Sequence, residues 1–323
     1  MKAVHETVGA RLESPGFIRG EEVKDDAPSV HDEPKRIRWP SERHPYAGQS
    51  AVLATKHAKL PLIAPPLARA VGLSIDAVAV DTDTLGTFSG EIPRTGPPLE
   101  TAIRKARLGM QAAGLGLGLA SEGSIGPDPA MPFLTSDREL VVLVDDNAGI
   151  VIWDAYTSYD IVAATTTARP GDDLGQFIAE ADFPVHRLVV RPNQGPVQPL
   201  HKGVDSRAAL DTAIAQAAAA ATDGCARIET DLRAHACPSR QPVIAGAAER
   251  LAQRVAVRCP SCSAPGWGCV DILMGVPCDW CGTEVDQPRA EIDGCPACDH
   301  QEVRALVGTD ATGDPGTCPV CNP

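Results

Sequence analysis

The chain has 323 residues, of which 43% are hydrophobic and 22% charged, and its formal net charge is −13. That length accommodates one large domain and one small one, while the negative charge repels phosphate backbones and disfavours nucleic acid as a partner. No apolar run reaches the roughly 18 residues that a membrane-spanning helix requires. The start, Met1-Lys2-Ala3-Val4-His5-Glu6, lacks the basic-then-apolar order of a signal peptide, so a cytoplasmic protein is expected.

Residues 1–45 are rich in Pro, Glu, Asp and Lys without sustained periodicity, which predicts a solvated tail. Residues 46–255 alternate short apolar runs with helical periodicity. Strands are expected at 51–54 and 75–80, with a helical tendency at 66–71 between them. A helix opening at Pro97-Pro98 follows, where proline's missing N–H costs nothing. Leu99, Ile103, Ala106, Met110 and Ala113 give that helix an apolar face, and Gly114 its C-cap. Further strands are expected at 115–120, 139–145 and 149–155, with a turn at Asp146-Asn147-Ala148 joining the last two. A helix near 172–181, a strand at 186–191, an Ala-rich helix over 206–221, a strand near 226–229 and a helix over 245–254 complete the domain. This alternation predicts an α/β domain with a mixed sheet, followed by a small double zinc-ribbon domain over 256–323.

The cysteines carry the sharpest signal. None precedes Cys225, and eight of the eleven form C-x-x-C pairs: Cys259/Cys262, Cys278/Cys281, Cys295/Cys298 and Cys318/Cys321. A two-residue gap lets both sulfurs of a tight turn face one ion, and two such knuckles complete a tetrahedral site. Two structural zinc ions are therefore expected. Disulfides would need an oxidising compartment, a thioredoxin-like motif would be single, and an iron–sulfur centre is the competing metal reading. Neighbouring pairs are expected to share an ion, the first with the second and the third with the fourth. Pairing first with third and second with fourth is the alternative. The residues after the pairs, Ser263, Gly282, Asp299 and Asn322, include types that tolerate the left-handed turn closing a knuckle. Cys225, Cys237 and Cys269 read as small buried apolar groups. From Ala256 onward three arginines face ten carboxylates, which favours a structural or protein-docking role for the module over nucleic-acid binding.

Chemistry in such a domain is expected in loops at strand ends. Four segments combine glycine or small residues with packed charges: Ala54 to Lys59, Asp81 to Arg94, Ala120 to Pro129, and Glu229 to His235. Turn formation explains their Gly, Pro and Ser, but not the accompanying Lys, Arg, His and carboxylates. A small anionic ligand is the expected partner, and Thr55, His57, Arg94, Ser121, Asp231, Arg233 and His235 are its candidate contacts.

Nearly the whole chain resembles an uncharacterised bacterial family, a domain of unknown function. The resemblance rests on Ala54-Thr55-Lys56-His57, Asp83 to Arg94, Ala120 to Pro127, Glu229 to His235 and the terminal Cys321-Asn322-Pro323. Residues 51–126 are also similar in order to the nucleoside-triphosphate pyrophosphatases that remove inosine and xanthosine triphosphates. Thr55, His57 and Lys59 stand where those enzymes have Ala-Thr-x-Asn and a nearby Lys. Glu100, Ala102, Lys105 and Ala106 match their Glu-x-Ala-x-x-Lys-Ala helix, and Ala120 to Gly123 their acidic turn. His57 replaces an Asn, and one carboxylate, Glu122, stands where two are usual. This resemblance implies a magnesium-dependent nucleotide hydrolase with Glu100 and Glu122 as metal ligands, Asp128 in reserve, and Lys59 and Lys105 countering the triphosphate. The alternative is a non-catalytic binding or scaffold protein that recognises an anionic or phosphorylated ligand.

Overall fold

The computed structural model describes residues 39, 42–56, 58–80, 96–306 and 312–323. His57, the segment Asp83 to Arg94 and the N-terminal stretch before Trp39 lie outside the described residues. The chain divides into two compact units. One holds residues 48–147 and 153–252; the other holds 1–47, 148–152 and 253–323.

The first sheet has the order β2-β1-β3-β4-β5. Its strands are β1 (Ser50–Ala54), β2 (Ser74–Val78), β3 (Leu117–Pro127), β4 (Thr135–Asp145) and β5 (Ile150–Ser158). β1 is parallel to both its neighbours and β3 is antiparallel to β4, so the sheet is mixed, as the alternating pattern implies. Helix α1 (Leu60–Val71) links β1 to β2, and α2 (Pro98–Ala113) carries the chain back past β1 to β3. The chain thus leaves β1 in one direction and returns on its other side. The switch point then lies between β1 and β3 at the carboxyl end of β1, the usual place for a crevice in such sheets. Gly109 lets α2 lie close to the sheet: a Cβ there would stand 3.0 Å from that of Ala54.

A second sheet, β6-β9-β7-β8, is antiparallel throughout. It comprises β6 (Thr165–Ala168), β7 (Leu188–Pro192), β8 (His201–Val204) and β9 (Ala226–Thr230), with helices α3 (Gly175–Glu180) and α4 (Arg207–Ala220) between them. Phe177, Leu188, Val190, Leu210, Ile214 and Ile228 form its core. Helix α5 (Arg240–Ala256) follows. β6 and β8 were not expected: the first reads Thr-Thr-Thr-Ala and the second is four residues long at the sheet edge, so neither has an apolar run.

Three boundaries depart from expectation in ways that matter for the site. α1 begins at Leu60 rather than Pro66, with Pro61 accommodated in its first turn. α5 begins at Arg240 rather than Ala245, again with a proline, Pro242, in the first turn. β3 continues to Pro127, so the segment from Ala120 is strand and not loop. It pairs residue for residue with β4, from Leu117↔Asp145 to Pro127↔Thr135. The ladder satisfies the backbone of a polar stretch, in which Ser121 and Glu122 are buried while Ser124 and Pro127 are exposed. Among the described residues no helix is long and apolar enough to cross a membrane.

The other unit contains the hairpin of β10 (Gly268–Pro277) and β11 (Glu284–Gly294), joined on its far edge by β12 (Gln301–Ala305).

Candidate functional site

The eight paired cysteines converge into two sets of four: Cys259, Cys262, Cys295 and Cys298, and Cys278, Cys281, Cys318 and Cys321. The pairing is first with third and second with fourth, which corrects the expectation that neighbours in sequence share an ion. The hairpin dictates this. Cys278 follows the last residue of β10 at the hairpin tip, while Cys295 follows the last residue of β11 at its base, where Gly294 lies opposite Gly268. At about 3.3 Å per residue, a ten-residue strand holds base and tip about 30 Å apart. Cys259 and Cys262 precede β10 and therefore meet Cys295 and Cys298 at the base. β12 then runs from the base toward the tip, where Gly313 bridges Cys278 and delivers Cys318 and Cys321.

Within the base set, Cys259 and Cys298 sulfurs are 3.8 Å apart and those of Cys262 and Cys295 are 3.5 Å apart. In the tip set, Cys278 to Cys321 is 3.9 Å and Cys281 to Cys318 is 3.6 Å. Disulfides would need about 2.05 Å. A tetrahedron with metal–sulfur bonds of about 2.3 Å has edges of about 3.8 Å, so each set fits one tetrahedral ion. The knuckles are closed by backbone bonds, Ser263 N–H to the Cys259 carbonyl at 2.9 Å and Gly282 N–H to the Cys278 carbonyl at 2.9 Å. Gly282 takes the expected left-handed conformation, with φ of 72°, and so does Ser263, with φ of 64°, whereas Asp299 and Asn322 do not. The fourth knuckle closes in the same way, with Asn322 N–H donating to the Cys318 carbonyl at 2.9 Å, and the Asn322 side-chain amide also donates to the Gly316 carbonyl at 2.7 Å. Trp39, Ala264 and Trp267 pack around the base set, and Val276 and Val285 around the tip set.

The metal-free thiols divide sharply in acidity. The Thr283 hydroxyl and backbone lower Cys281 to about 6, whereas hydrogen bonding to Cys281, followed by burial, pushes Cys321 up to about 12. Burial raises Cys295 further. An ion binding these sets displaces protons from the high-pKa thiols. Each set can hold one metal ion, two in all. Among the described residues no other group of three or more His, Cys, Asp and Glu side chains converges in this way.

The α/β unit contains a second cluster, built across β3 and β4. In strands, alternate side chains share a face. The register therefore puts Ser121, Gly123, Asp137 and Glu139 on one face and Glu122 on the other, toward α2. Lys59, just before α1, donates from Nζ to Ser121 Oγ at 2.9 Å in a buried contact. Lys105 of α2 forms an ion pair with Glu122, whose side chain is only 3% exposed. Arg240, at the start of α5, donates to Glu139 Oε1 from Nε at 2.9 Å and also from its second terminal nitrogen, and both residues are essentially inaccessible. The same guanidinium donates to the Leu232 carbonyl, tying the Glu229–His235 segment to β4. Gly123 makes room for this pair: a Cβ there would meet Arg240 and Glu139 at 2.4 Å.

Of the sequence candidates, Lys59 thus meets Ser121 on one face of the sheet and Lys105 meets Glu122 on the other. Glu100 is not with them; it lies exposed in the first turn of α2, where it complements the helix dipole. Asp128 accepts the N–H groups of Ala130 (2.9 Å) and Met131 (3.0 Å), which serves a turn. Thr55 follows β1 and its N–H reaches the Val78 carbonyl at 3.2 Å. Asp231 accepts Gly203 N–H at 3.0 Å and the Arg233 guanidinium, with Nε at 2.9 Å. Burial opposes the Asp231 charge, but the Arg233 contacts outweigh it and hold the carboxyl below its ordinary value. His235 is exposed, and its pKa is lowered by partial burial and by Arg233. His57 and Arg94 fall outside the described residues.

Sequence reasoning missed Arg240, Glu139 and Asp137. Asp137 and Glu139 belong to the polar run Ser136-Asp137-Arg138-Glu139, which reads as a solvated stretch, and Arg240 stands where no helix was expected. The available signal was Ser239 followed by Pro242, a helix-start pattern. Asp137 is fully buried, and neither of its carboxylate oxygens meets a hydrogen-bond partner among the described residues. Burial first, then the Glu139 charge, raise its pKa to about 7, against the opposing pull of Arg240 and Lys59. Burial lowers the pKa of Lys59, with Glu139 resisting.

The model of a family described as a domain of unknown function (DUF6671) matches residues 105–323. The chain belongs to that family. The DUF6671 match takes in β3, β4, the Glu229–His235 segment, Arg240 and all eight paired cysteines. No curated protein matches the chain, so the resemblance to triphosphate pyrophosphatases over residues 51–126 has no support from this comparison.

Proposed function

We propose that this DUF6671 protein is a zinc-bearing binding protein whose α/β unit takes a small phosphate-like oxyanion at the carboxyl end of β1, beside Ser121 of β3. The observation that carries this reading is the buried Lys59 ammonium beside the Ser121 hydroxyl, with Arg240 on the same face of the sheet. Buried ammonium and hydroxyl donors in a water-poor site are the groups that recognise oxyanions. The two cysteine sets hold structural zinc, in keeping with sulfur separations near a zinc–thiolate tetrahedral edge.

Magnesium-dependent hydrolysis of a nucleoside triphosphate would require hard oxygen ligands around a cation. Glu122 is committed to Lys105 and Glu100 is exposed, so these contacts favour binding without turnover. A panel of nucleotides and inorganic oxyanions, with and without Mg²⁺, separates the two readings. Binding without turnover predicts thermal stabilisation by oxyanions in the absence of Mg²⁺, its loss in Lys59→Ala, and no release of phosphate or pyrophosphate. Release dependent on Mg²⁺ would instead make the protein a hydrolase.

A further inference from the structure

The charges on the Lys59 face of β3 and β4 can be summed. The cations are Lys59 and Arg240; the carboxyl groups are Glu139, bound to Arg240, and Asp137, which has no bonded partner. Around them, Lys105 and Glu122 cancel as a pair on the opposite face. The Cys237 thiol, within electrostatic reach of Asp137, is kept protonated by burial. With both carboxylates ionised the face is neutral and has no surplus charge to hold an anion. With one proton added it carries a single positive charge.

We propose that Asp137 and Glu139 are the proton-exchanging half of the oxyanion site, so that an oxyanion binds at Lys59 and Ser121 together with one proton taken up by the carboxyl pair. This rests on the oxyanion reading above and adds the coupling. Two buried acids on one face, three of whose four oxygens lack a hydrogen-bond partner among the described residues while the fourth accepts from Arg240, form an incomplete set. A proton completes it without new ligands. Burial and the Glu139 charge raise the Asp137 pKa to about 7, which puts the exchange in the neutral range. The coupling has a definite sign. An anion beside the pair favours the protonated carboxyl, so affinity is greatest below the Asp137 pKa and declines as pH rises through it.

Sulfate is the probe, because it stays a dianion from pH 5 to 9 and contributes no protons of its own. Calorimetric titration of the wild-type protein is expected to show affinity falling by about tenfold per pH unit above the midpoint, the slope of one coupled proton. Asp137→Asn imitates the protonated acid. It is expected to bind sulfate about tenfold more tightly than wild type one unit above that midpoint, with a flat profile, a gain that a misfolded variant cannot give. A variant that keeps the wild-type slope would assign the proton to Lys59 or another group and overturn the coupling while leaving the oxyanion site standing. No sulfate binding by wild type at pH 6 would overturn both. Carboxyl carbon NMR of the ligand-free wild type checks the pair without any ligand or substitution. A midpoint near 7 for Asp137 is expected, and one in the ordinary carboxylate range would refute the coupling.

Discussion

The cysteine unit and the polar cluster of the α/β unit bury reactive groups in opposite ways. In the first, four thiols of one kind converge at each of two points. In the second, buried charges are held in opposite pairs, Lys105 with Glu122 and Arg240 with Glu139, Lys59 donates to the Ser121 hydroxyl, and the Asp137 oxygens meet no hydrogen-bond partner among the described residues. The difference is instructive. A set of like donors at tetrahedral separation is incomplete without an ion, whereas a neutral ionic cluster that holds a buried acid can take up a proton and become cationic. The first unit is therefore expected to depend on metal for its fold, and the second is not.

Chelation breaks that comparison most severely. Structural zinc contributes on the order of 10 kcal/mol to small domains of this kind. Removing it is expected to unfold the cysteine unit and to leave the helical signal of the α/β unit intact, as read by circular dichroism and proteolysis of the chelated protein. Loss of both units together would show that the α/β unit depends on the metal as well.

Next in size is Arg240→Ala. It strands Glu139 as a buried charge with no cation and frees the Leu232 carbonyl, so about 3–5 kcal/mol of stability should be lost. Chemical denaturation of the α/β unit measures this. A loss under 1 kcal/mol would mean that the pair is solvated in solution. A smaller effect is expected for Gly123→Ala, whose methyl group would collide with the same pair. Overpacking of that kind costs about 1–3 kcal/mol, and zinc content should not change.

The two regions were also unequally legible in the sequence. Each C-x-x-C pair announces its own chemistry because both ligands sit in one turn, within three residues of each other. Which pairs meet was not local information: it depends on β10 and β11 running the length of a hairpin, a fact carried by the ladder from Gly268↔Gly294 to Pro277↔Glu284. The polar cluster is the reverse case. Lys59, Lys105, Ser121 and Glu122 stood out as residue types, but their contacts depend on β3 extending through a stretch that composition alone marks as loop. Asp137 and Glu139 look like the wet face of β4, and only the register opposite Gly123 shows that they face Arg240. The mixed sheet itself was readable from alternating apolar runs. The threonine strand β6 and the short edge strand β8 were not, because neither has an apolar run to detect.

The account's central claim is that the hairpin sorts the eight thiolates into a base site and a tip site. It is tested most directly by counting zinc in the double variant Cys262→Ser, Cys298→Ser. Both residues belong to the base set, so one complete site remains and elemental analysis should find about one zinc per chain, against about two in the wild type. If the first pair shared its ion with the second and the third with the fourth, the same two substitutions would damage both sites. Zinc falling to none in the variant would contradict the crossed arrangement.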